Sequence, residues 1–386
     1  MEIYFDNAAT TRIDAEVEKK IEEINRLVYA NPSAMHRLGY FAEEQVKKSS
    51  ETIANILHCD SSEIIWTSGG SESNNMAIRG YTSLYKKSGN KIVTTKMEHA
   101  SVYKVFESLK EDGFEVIYID VDSEGHINID ELKQIVDSNT ILVSIMYVNN
   151  EIGSVQKIEE IGKLIKENNM NCAFHVDFVQ GFAKYRINVK KSCIDFLSIS
   201  SHKFNGPKGV GILYKNKDVR VKPLILGGSQ QNDLRAGTLN VPGIVGTATA
   251  AKIAYEIIDE EYNKLKNLKE YLIDKLEQLN DIYGIISINS KKDESFAPHI
   301  VSVTFKNIRA EVMLHALEDK GVYVSAGSAC SSHQKKLSRT LTSIGLKSEL
   351  VESTIRISFG KYNKKEEIDN FIEILNELIP KLNIRK

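Results

Sequence analysis

Residues 140–176 of this chain read TILVSIMYVNNEIGSVQKIEEIGKLIKENNMNCAFHV. Two apolar runs, 140–148 and 172–176, flank a segment at 158–167 whose apolar residues recur at helical spacing. This order of strand, helix and strand is typical of two parallel strands joined by a crossover helix. Parallel strands are buried on both faces, which explains their nearly continuous apolar composition. The stretch therefore predicts a parallel sheet covered by helices.

The same alternation extends on both sides of this stretch. Further strand-like runs lie at 63–67, 91–94, 114–119, 196–200 and 210–213. Helix-like segments lie at 73–85, 101–110 and 129–136. We therefore expect an α/β fold, with a mainly parallel sheet and helices on both of its faces.

The pattern changes after about residue 241. A long helical pattern covers 244–279. Shorter strand-like runs follow at 284–288, 299–305 and 353–359, and helix-like segments at 310–320, 337–344 and 365–382. This texture predicts a smaller C-terminal α/β domain. We expect a large domain at 14–258 and a small domain formed by 1–13 and 259–386.

Composition excludes several classes of protein. The chain has 386 residues, 42% hydrophobic and 26% charged, as in ordinary globular proteins. Its 50 Lys and Arg nearly balance its 52 Asp and Glu, so the net charge of −2 indicates neither a nucleic-acid nor a membrane partner. We see no leader peptide and no apolar run near the ~20 residues of a membrane span. Four cysteines are too few for a disulfide framework, so we expect a cytoplasmic location.

Residues 67–75, TSGGSESNN, follow a predicted strand and open a predicted helix. Small residues let the backbone approach an anion, and the N–H groups at a helix N-terminus bind phosphate. An ordinary strand-to-helix turn with a serine cap is the alternative. The segment matches neither of the common glycine-rich nucleotide-binding loops.

Two further loops carry candidate catalytic groups. Lys203 lies in SSHKFNGPKG, residues 200–209, where a predicted strand ends and ligands of α/β sheets usually bind. A desolvated lysine there has a lowered pKa and is suited to Schiff-base chemistry, although most loop lysines are simply solvated. Asp177 ends another predicted strand in HVDFVQ, where it can hold a protonated ring nitrogen or cap a helix.

Three single residues are also candidates. Cys330 lies in a small, polar segment, SAGSACSSH, where an exposed thiol beside a histidine is suited to nucleophilic attack. His99 lies between a predicted strand and helix, and a structural role is the simpler interpretation without further context. Arg356 is a lone guanidinium in an apolar strand, so it needs an anionic partner, either a substrate carboxylate or a protein carboxylate.

Taken together, these segments resemble the cysteine desulfurases of the NifS/IscS family, which are pyridoxal-phosphate enzymes of the class V aminotransferase group. The resemblance covers about nine-tenths of the chain, from YFDNAATT at 4–11 to Arg356. It includes TSGGSESNN, HVDxVQ, SSHKFNGPKG, the RAGT of 235–238 and SAGSACSS. Many motifs in one order make the match specific, although each motif alone is weak.

The resemblance implies a site for pyridoxal 5′-phosphate, with Lys203 as its Schiff-base lysine. It assigns Asp177 to the pyridine nitrogen, Gln180 to the ring hydroxyl and His99 to stacking on the ring. The residues implied to hold the phosphate are Gly70, Ser71, Ser200 and His202, with Thr238 reaching the partner subunit's phosphate in a homodimer. No metal is expected.

The resemblance also implies the reaction. Asn150 and Arg356 would bind the substrate L-cysteine, Lys203 and His99 would move protons, and Cys330 would receive the sulfur as a persulfide, leaving L-alanine. The persulfide would pass to an acceptor protein of iron–sulfur cluster assembly or of tRNA thiolation. The alternatives are a selenocysteine lyase, an aminotransferase of the same class, or a sulfur-transfer scaffold without catalysis.

Two of the departures from the family pattern concern residues 178 and 228–234. Phe178 follows Asp177 where the family usually has a small residue, and GSQQNDL at 228–234 replaces a segment that is usually richer in glycine. The sequence alone does not assign a structural effect to either change.

Overall fold

The computed structural model describes residues 2–326 and 337–383. Its strands, numbered β1 to β13 in chain order, are Ile3–Tyr4, Ile64–Thr67, Lys91–Thr95, Glu115–Ile119, Thr140–Met146, Ala173–Asp177, Phe196–Ser200, Gly211–Lys215, Ile286–Ile288, Ile300–Phe305, Val322–Tyr323, Ser325–Ala326 and Thr354–Ser358. Its helices, numbered α1 to α12, are Ala15–Leu27, Arg37–Leu57, Gly70–Tyr85, Ala100–Glu111, Ile129–Ile135, Ile158–Asn168, Val241–Glu256, Ile258–Tyr283, Ala310–Glu318, Arg339–Ser343, Ser348–Val351 and Lys365–Leu382.

The large sheet has the strand order β2-β8-β7-β6-β5-β3-β4. β7, β6, β5, β3 and β4 pair in parallel, and β8 runs antiparallel between β2 and β7. All residues of β5, β6 and β7 are buried, as the continuous apolar runs require. The prediction of an α/β fold with a mainly parallel sheet is confirmed.

A second, antiparallel sheet has the order β12-β13-β10-β9, and β1 pairs in parallel with β11 beside it. Its core contains residues from α8, α9 and α12 and, from the start of the chain, Ile3 and Phe5. The large sheet has a separate core. These two cores support the domains expected from the sequence, and we propose a boundary near residue 258.

The long helical pattern predicted at 244–279 is two helices in the structure. α7 ends at Glu256 and α8 begins at Ile258, and Ile257 between them leaves the helical region with φ −115° and ψ 16°. Helical spacing continues on both sides of this residue, so the pattern alone did not show the break. No helix within the two described ranges is long and apolar enough to cross a membrane.

The departure at 228–234 has a structural role at the edge of the large sheet. The side-chain amide of Gln231 accepts from the backbone N–H of Trp66 at 2.6 Å and donates to its carbonyl at 2.7 Å. Trp66 lies in β2, the last strand of the sheet on this side. The Gln231 amide thus occupies hydrogen-bonding groups that a further strand would use.

The other departure, Phe178, fills the space behind the turn that follows β6. Its side chain is 0% exposed and contacts the ring of Tyr147 edge to face, with the centroids 5.0 Å apart. It also packs against Phe182, and a side chain at Gly181 would collide with its ring. The aromatic side chain therefore supports the turn that carries Asp177 and Gln180.

We expect Phe178→Ala to destabilise the protein by about 3–5 kcal/mol, because it removes a buried aromatic side chain and leaves a cavity. Urea unfolding followed by circular dichroism measures the change. Met170→Ala is the control, since Met170 is 72% exposed and its loss should cost less than about 0.5 kcal/mol. Equal stability of Phe178→Ala and the wild type would contradict the supporting role of Phe178.

Candidate active site

Most of the candidate side chains follow the carboxyl ends of strands of the large sheet. β3 leads to His99, β5 to Asn150, β6 ends at Asp177 and β7 leads to Lys203. These four strands are parallel, so their carboxyl ends lie along one edge of the sheet. Ligands of α/β sheets bind at this edge.

Asp177 lies 5% exposed and is held by two hydrogen bonds. Its Oδ1 accepts from the Val179 backbone N–H at 3.1 Å, and its Oδ2 accepts from Asn74 Nδ2 at 2.9 Å. In both contacts Asp177 is the acceptor. A partner for a protonated ring nitrogen must likewise accept a hydrogen bond.

Asn74 connects Asp177 to His99. Its Nδ2 also donates to Ser101 Oγ at 2.9 Å, and Ser101 Oγ lies 2.8 Å from His99 Nδ1. Because Nδ1 also accepts from the Ser101 backbone N–H at 3.2 Å, the neutral ring carries its hydrogen on Nε2. Sequence reasoning missed Asn74 and Ser101, although Asn74 lies within the TSGGSESNN motif.

His99 is held neutral by its surroundings. Burial is the main cause that lowers its pKa, and the charges of Lys203 and Arg339 lower it further, whereas Asp177 opposes the shift. A neutral imidazole has one N–H donor and one acceptor nitrogen, so it can pass a proton to or from a reacting group.

Lys203 lies in the short 3₁₀ turn Ser201–Lys203 after β7. Its Nζ donates to the backbone oxygens of Ala8 and Ala9, each at 2.7 Å. Gln180 Nε2 donates to the same Ala8 oxygen at 2.9 Å. The N-terminal segment therefore brings Lys203 and Gln180 together.

Three of the predicted phosphate residues, Gly70, Ser71 and Ser200, lie at the N-terminal turn of α3. A Cβ added at Gly70 would lie 3.6 Å from the Ser200 Cβ, so these two residues are neighbours. The first N–H groups of a helix have no partners within the helix, and this turn therefore presents donors to an anion. Ser71 is exposed in this first turn.

His202 lies next to Lys203 and contacts the N-terminal segment through its Nδ1, 3.1 Å from Thr10 Oγ1. Burial, Lys203 and Lys208 lower its pKa to about 4. Thr238 is exposed on this chain, on the segment that Arg235 ties to Glu72 of α3 at 2.8 Å.

Arg356 lies in β13, 5% exposed, and the structure shows which anion it meets. Its Nη2 is 2.7 Å from Asp6 Oδ1, and its Nη1 donates to the Asn150 backbone oxygen at 2.8 Å. The protein-carboxylate alternative is therefore present. Its buried Nε has no hydrogen-bond partner within 2–326 and 337–383. The sequence did not single out Asp6 as the partner.

Cys330 lies outside the described residues, as do all of 327–336. The described residues on either side of this segment do reach the site. Ser325 in β12 pairs with Arg356 of β13, and Ser338 Oγ donates to the Glu151 carboxylate, next to Asn150.

The remaining cysteines, Cys59, Cys172 and Cys193, are free thiols. Burial raises the pKa of Cys59 and of Cys172 to about 12, so neither forms a thiolate near neutral pH. This agrees with the interpretation that these two cysteines are not catalytic.

Comparison with known proteins identifies the family. The family model of aminotransferase class-V matches residues 3–371. A cysteine desulfurase IscS of Dictyoglomus turgidum is 40% identical over 382 residues, which cover 99% of this chain and 95% of that protein. A solved NifS-like protein aligns with a TM-score of 0.93 and 37% identity over 99% of this chain and 100% of its own. Another, SspA in complex with cysteine, has a TM-score of 0.79 and 32% identity, over 94% of this chain and 100% of its own.

The chain therefore belongs to the aminotransferase class-V family. Within this family it groups with the IscS and NifS cysteine desulfurases, which confirms the resemblance drawn from the sequence motifs.

The carboxyl group of Glu98, the residue before His99, is 2% exposed. Its Oε1 accepts from the Met146 N–H at 2.9 Å and from Thr95 Oγ1 at 3.2 Å, while its Oε2 has no partner in the described part of the chain. Burial is the main cause that raises the pKa of Glu98 to about 8, and Asp177 adds to it. The folded protein thus keeps Glu98 protonated at neutral pH.

We expect Glu98→Gln to flatten the loss of stability as pH rises from 5 to 8. In this window the unfolded chain ionises Glu98 and the folded chain does not, so wild-type stability falls with rising pH, by up to about 1.4 kcal/mol per pH unit for one group. Urea midpoints at each pH measure the slope. The exposed Glu43→Gln is the control and should keep the wild-type slope. Identical slopes for Glu98→Gln and wild type would disprove the assignment.

Proposed function

We propose that this cysteine desulfurase takes sulfur from L-cysteine at the carboxyl edge of the large sheet, releasing L-alanine and leaving a persulfide on Cys330. The main observation behind the proposal is that Lys203, Asp177 and His99 all lie at the carboxyl edge of the large sheet. The relatives named IscS and the relative in complex with cysteine support the choice of substrate. The experiments below separate the aminotransferase and scaffold alternatives, and a comparison of L-cysteine with L-selenocysteine as substrate separates the selenocysteine lyase.

The residues at this edge fit pyridoxal 5′-phosphate. They offer an amine, a carboxylate that faces the site and an anion-binding helix turn, and Asn74 Oδ1 is buried with no partner among the described residues. When bound, the cofactor supplies an electron sink for the carbon atoms of an amino acid. The residues that would hold it are Gly70, Ser71, His99, Asn150, Asp177, Gln180, Ser200, His202, Lys203 and, from a partner subunit, Thr238.

Arg356 orients the substrate. Asp6 and the Asn150 carbonyl hold its guanidinium in place from one side. A fixed guanidinium binds a carboxylate in one orientation, and this positions the Cα–H bond of L-cysteine toward Lys203. The Nε–H of Arg356 is buried and has no partner among the described residues, and it is the donor that we propose for this contact.

Lys203 and His99 move the protons. The amine of Lys203, held by the Ala8 and Ala9 carbonyls, takes the proton from Cα and can return one to carbon. His99, neutral with its hydrogen on Nε2, is the second group that can give a proton. Hydrogen bonds through Ser101 and Asn74 connect His99 to Asp177 and favour this tautomer.

Cys330 receives the sulfur. Its thiolate attacks the substrate sulfur, a new S–S bond forms, and the Cβ–S bond breaks with its electron pair going to the carbon side. Protonation of that carbon completes L-alanine, so one thiol and L-cysteine become one persulfide and L-alanine with no further oxidant or reductant. The flanking residues Ser325 and Ser338 lie next to the substrate arginine and to Glu151, which supports this role.

We propose further that the persulfide serves an acceptor protein of iron–sulfur cluster assembly or of tRNA thiolation. A cytoplasmic location agrees with the free thiols Cys59, Cys172 and Cys193, because reducing compartments preserve thiols.

A homodimer is also proposed, because one face of the chain exposes apolar side chains close together in sequence. Tyr29, Met35 and Tyr40, at the junction of α1 and α2, are 75%, 106% and 67% exposed. Exposed apolar clusters of this kind mark protein interfaces. A second copy of the chain would cover them and would bring its Thr238 to the site.

Lys203→Ala should lower alanine formation from L-cysteine at least about 1,000-fold, because it removes the proton-transferring amine. The variant should stay folded, with a thermal midpoint near that of wild type. Loss of the yellow colour of the purified protein would exclude a scaffold without cofactor chemistry. Alanine release close to the wild-type rate would show that Lys203 is not the catalytic lysine.

Cys330→Ala should abolish persulfide formation and sulfide release in the presence of a small thiol, because no protein thiol receives the sulfur. Sulfide and alanine assays with L-cysteine measure both products, and Cys193→Ala is the control. A variant that transfers sulfur normally would point to another nucleophile. Transamination without sulfide in the wild type would favour the aminotransferase alternative.

Met35→Glu combined with Tyr40→Glu should convert the protein to a monomer with little activity. The charges would be buried without partners in a dimer interface. Light scattering and alanine release measure the two effects. Ile282→Glu, on α8 and also exposed at 68%, is the control. A fully active monomer would contradict the shared site.

A further inference from the structure

His299 is a buried histidine that takes no part in the substrate binding and proton transfer proposed for the site. It is 3% exposed and directly precedes β10, whose first residue Ile300 pairs with Ser358 of β13. β13 also carries Arg356, so His299 enters the site from the second sheet. Its ring reaches the turn after β6, on the large sheet.

The ring of His299 lies against the side chain of Gln180. Its Nε2 is 3.4 Å from Gln180 Oε1, and its Nδ1 has no hydrogen-bond partner in 2–326 or 337–383. An amide oxygen only accepts hydrogen bonds, so the hydrogen of the neutral ring lies on Nε2. The nitrogen facing Gln180 is therefore a donor.

Burial and the surrounding cations keep the ring of His299 neutral. Burial lowers its pKa well below the ordinary value, and four cations act in the same direction. These cations are Lys184, Lys269, Arg356 and Lys203. A neutral ring carries one hydrogen, and it keeps this single N–H for Gln180 across the working pH range.

The backbone on both sides of His299 is held in place. Phe359 N–H donates to the His299 carbonyl at 2.9 Å. Two residues earlier, the Ala297 carbonyl accepts from the buried Lys269 Nζ at 3.0 Å. The backbone N–H of Ala297 donates to the Gly153 carbonyl at 2.6 Å. The ring is therefore presented to Gln180 from a fixed backbone.

Gln180 has only one orientation that satisfies its neighbours. Its Nε2 donates to the Ala8 carbonyl, and its Oε1 faces the N–H of His299. With the amide turned over, N–H would oppose N–H at His299 and oxygen would oppose oxygen at Ala8. The amide nitrogen still has a second hydrogen, close to Lys203, whose amine shares the Ala8 carbonyl.

We propose that His299 is a positioning residue that fixes the amide of Gln180, so that its second N–H points to the ring hydroxyl oxygen of pyridoxal phosphate at Lys203. The inference rests on the proposed function, since it requires the cofactor at this edge. A donor there stabilises the ionised form of that oxygen. His299 thus acts on the cofactor only through Gln180.

The test compares two variants in binding of the cofactor. His299→Leu removes the donor at similar size, and His299→Asn keeps an N–H donor. Cofactor-free proteins are titrated with pyridoxal phosphate, and binding is followed by protein fluorescence. We expect about 3- to 10-fold weaker binding for His299→Leu, the effect of one lost hydrogen bond, and wild-type binding within about twofold for His299→Asn.

A second readout separates positioning from structural support. The visible absorbance of the bound cofactor is titrated with pH, and its midpoint should move to higher pH in His299→Leu and stay in place in His299→Asn. In a Gln180→Ala background, His299→Leu should change neither binding nor this midpoint. His299→Phe, which keeps a ring without an N–H, replaces His299→Leu if that variant does not fold.

Each outcome has a clear meaning. Unchanged binding and absorbance in His299→Leu, or an equal effect of His299→Leu with and without Gln180, would overturn the inference while leaving the proposed function intact. A wild-type protein that does not bind pyridoxal phosphate would overturn the proposed function itself.

Discussion

The ion pair between Asp6 and Arg356 holds the N-terminal segment across both sheets. Arg356 is almost fully buried in β13, so its charge must have a partner, and loss of one member of such a pair costs about 3–5 kcal/mol. With Asp6 fixed, the carbonyls of Ala8 and Ala9 lie where Lys203 donates to them. The same pair that neutralises the arginine therefore also places the acceptors of the lysine. The guanidinium of Arg356 and the amine of Lys203 are therefore coupled through the four backbone residues from Asp6 to Ala9.

The large sheet contributes a second connected set. Asp177, Asn74, Ser101 and His99 form a continuous series of hydrogen bonds between 2.8 and 2.9 Å. Such a series fixes which atoms donate and which accept, because Nδ2 of Asn74 supplies both of its hydrogens. One carboxylate remains an acceptor and one imidazole remains neutral. An acceptor carboxylate and a neutral imidazole in one series suit the proton transfers that we propose.

The sequence predicted the sheet, the strand ends and the motifs that follow them, because burial on both faces leaves continuous apolar runs that are easy to recognise. It also placed Lys203, Asp177 and His99 at strand ends, and the structure has them there. Contacts between distant segments were not predictable. The pairing of Asp6 with Arg356 spans 350 residues, and nothing in either local sequence names the other. The break at Ile257 escaped for a different reason, since one non-helical residue does not disturb the apolar spacing around it.

The contact between Gln231 and Trp66 bears on how the protein behaves at high concentration. An uncovered strand at the end of a sheet is a template on which other chains add strands and form aggregates. The Gln231 side chain occupies one N–H and one carbonyl of β2, and it does so from backbone in the left-handed region, at φ 52°. Because these two backbone groups are occupied, another strand cannot form hydrogen bonds with them. The segment 228–234 thus protects one residue of the edge strand against pairing with another chain.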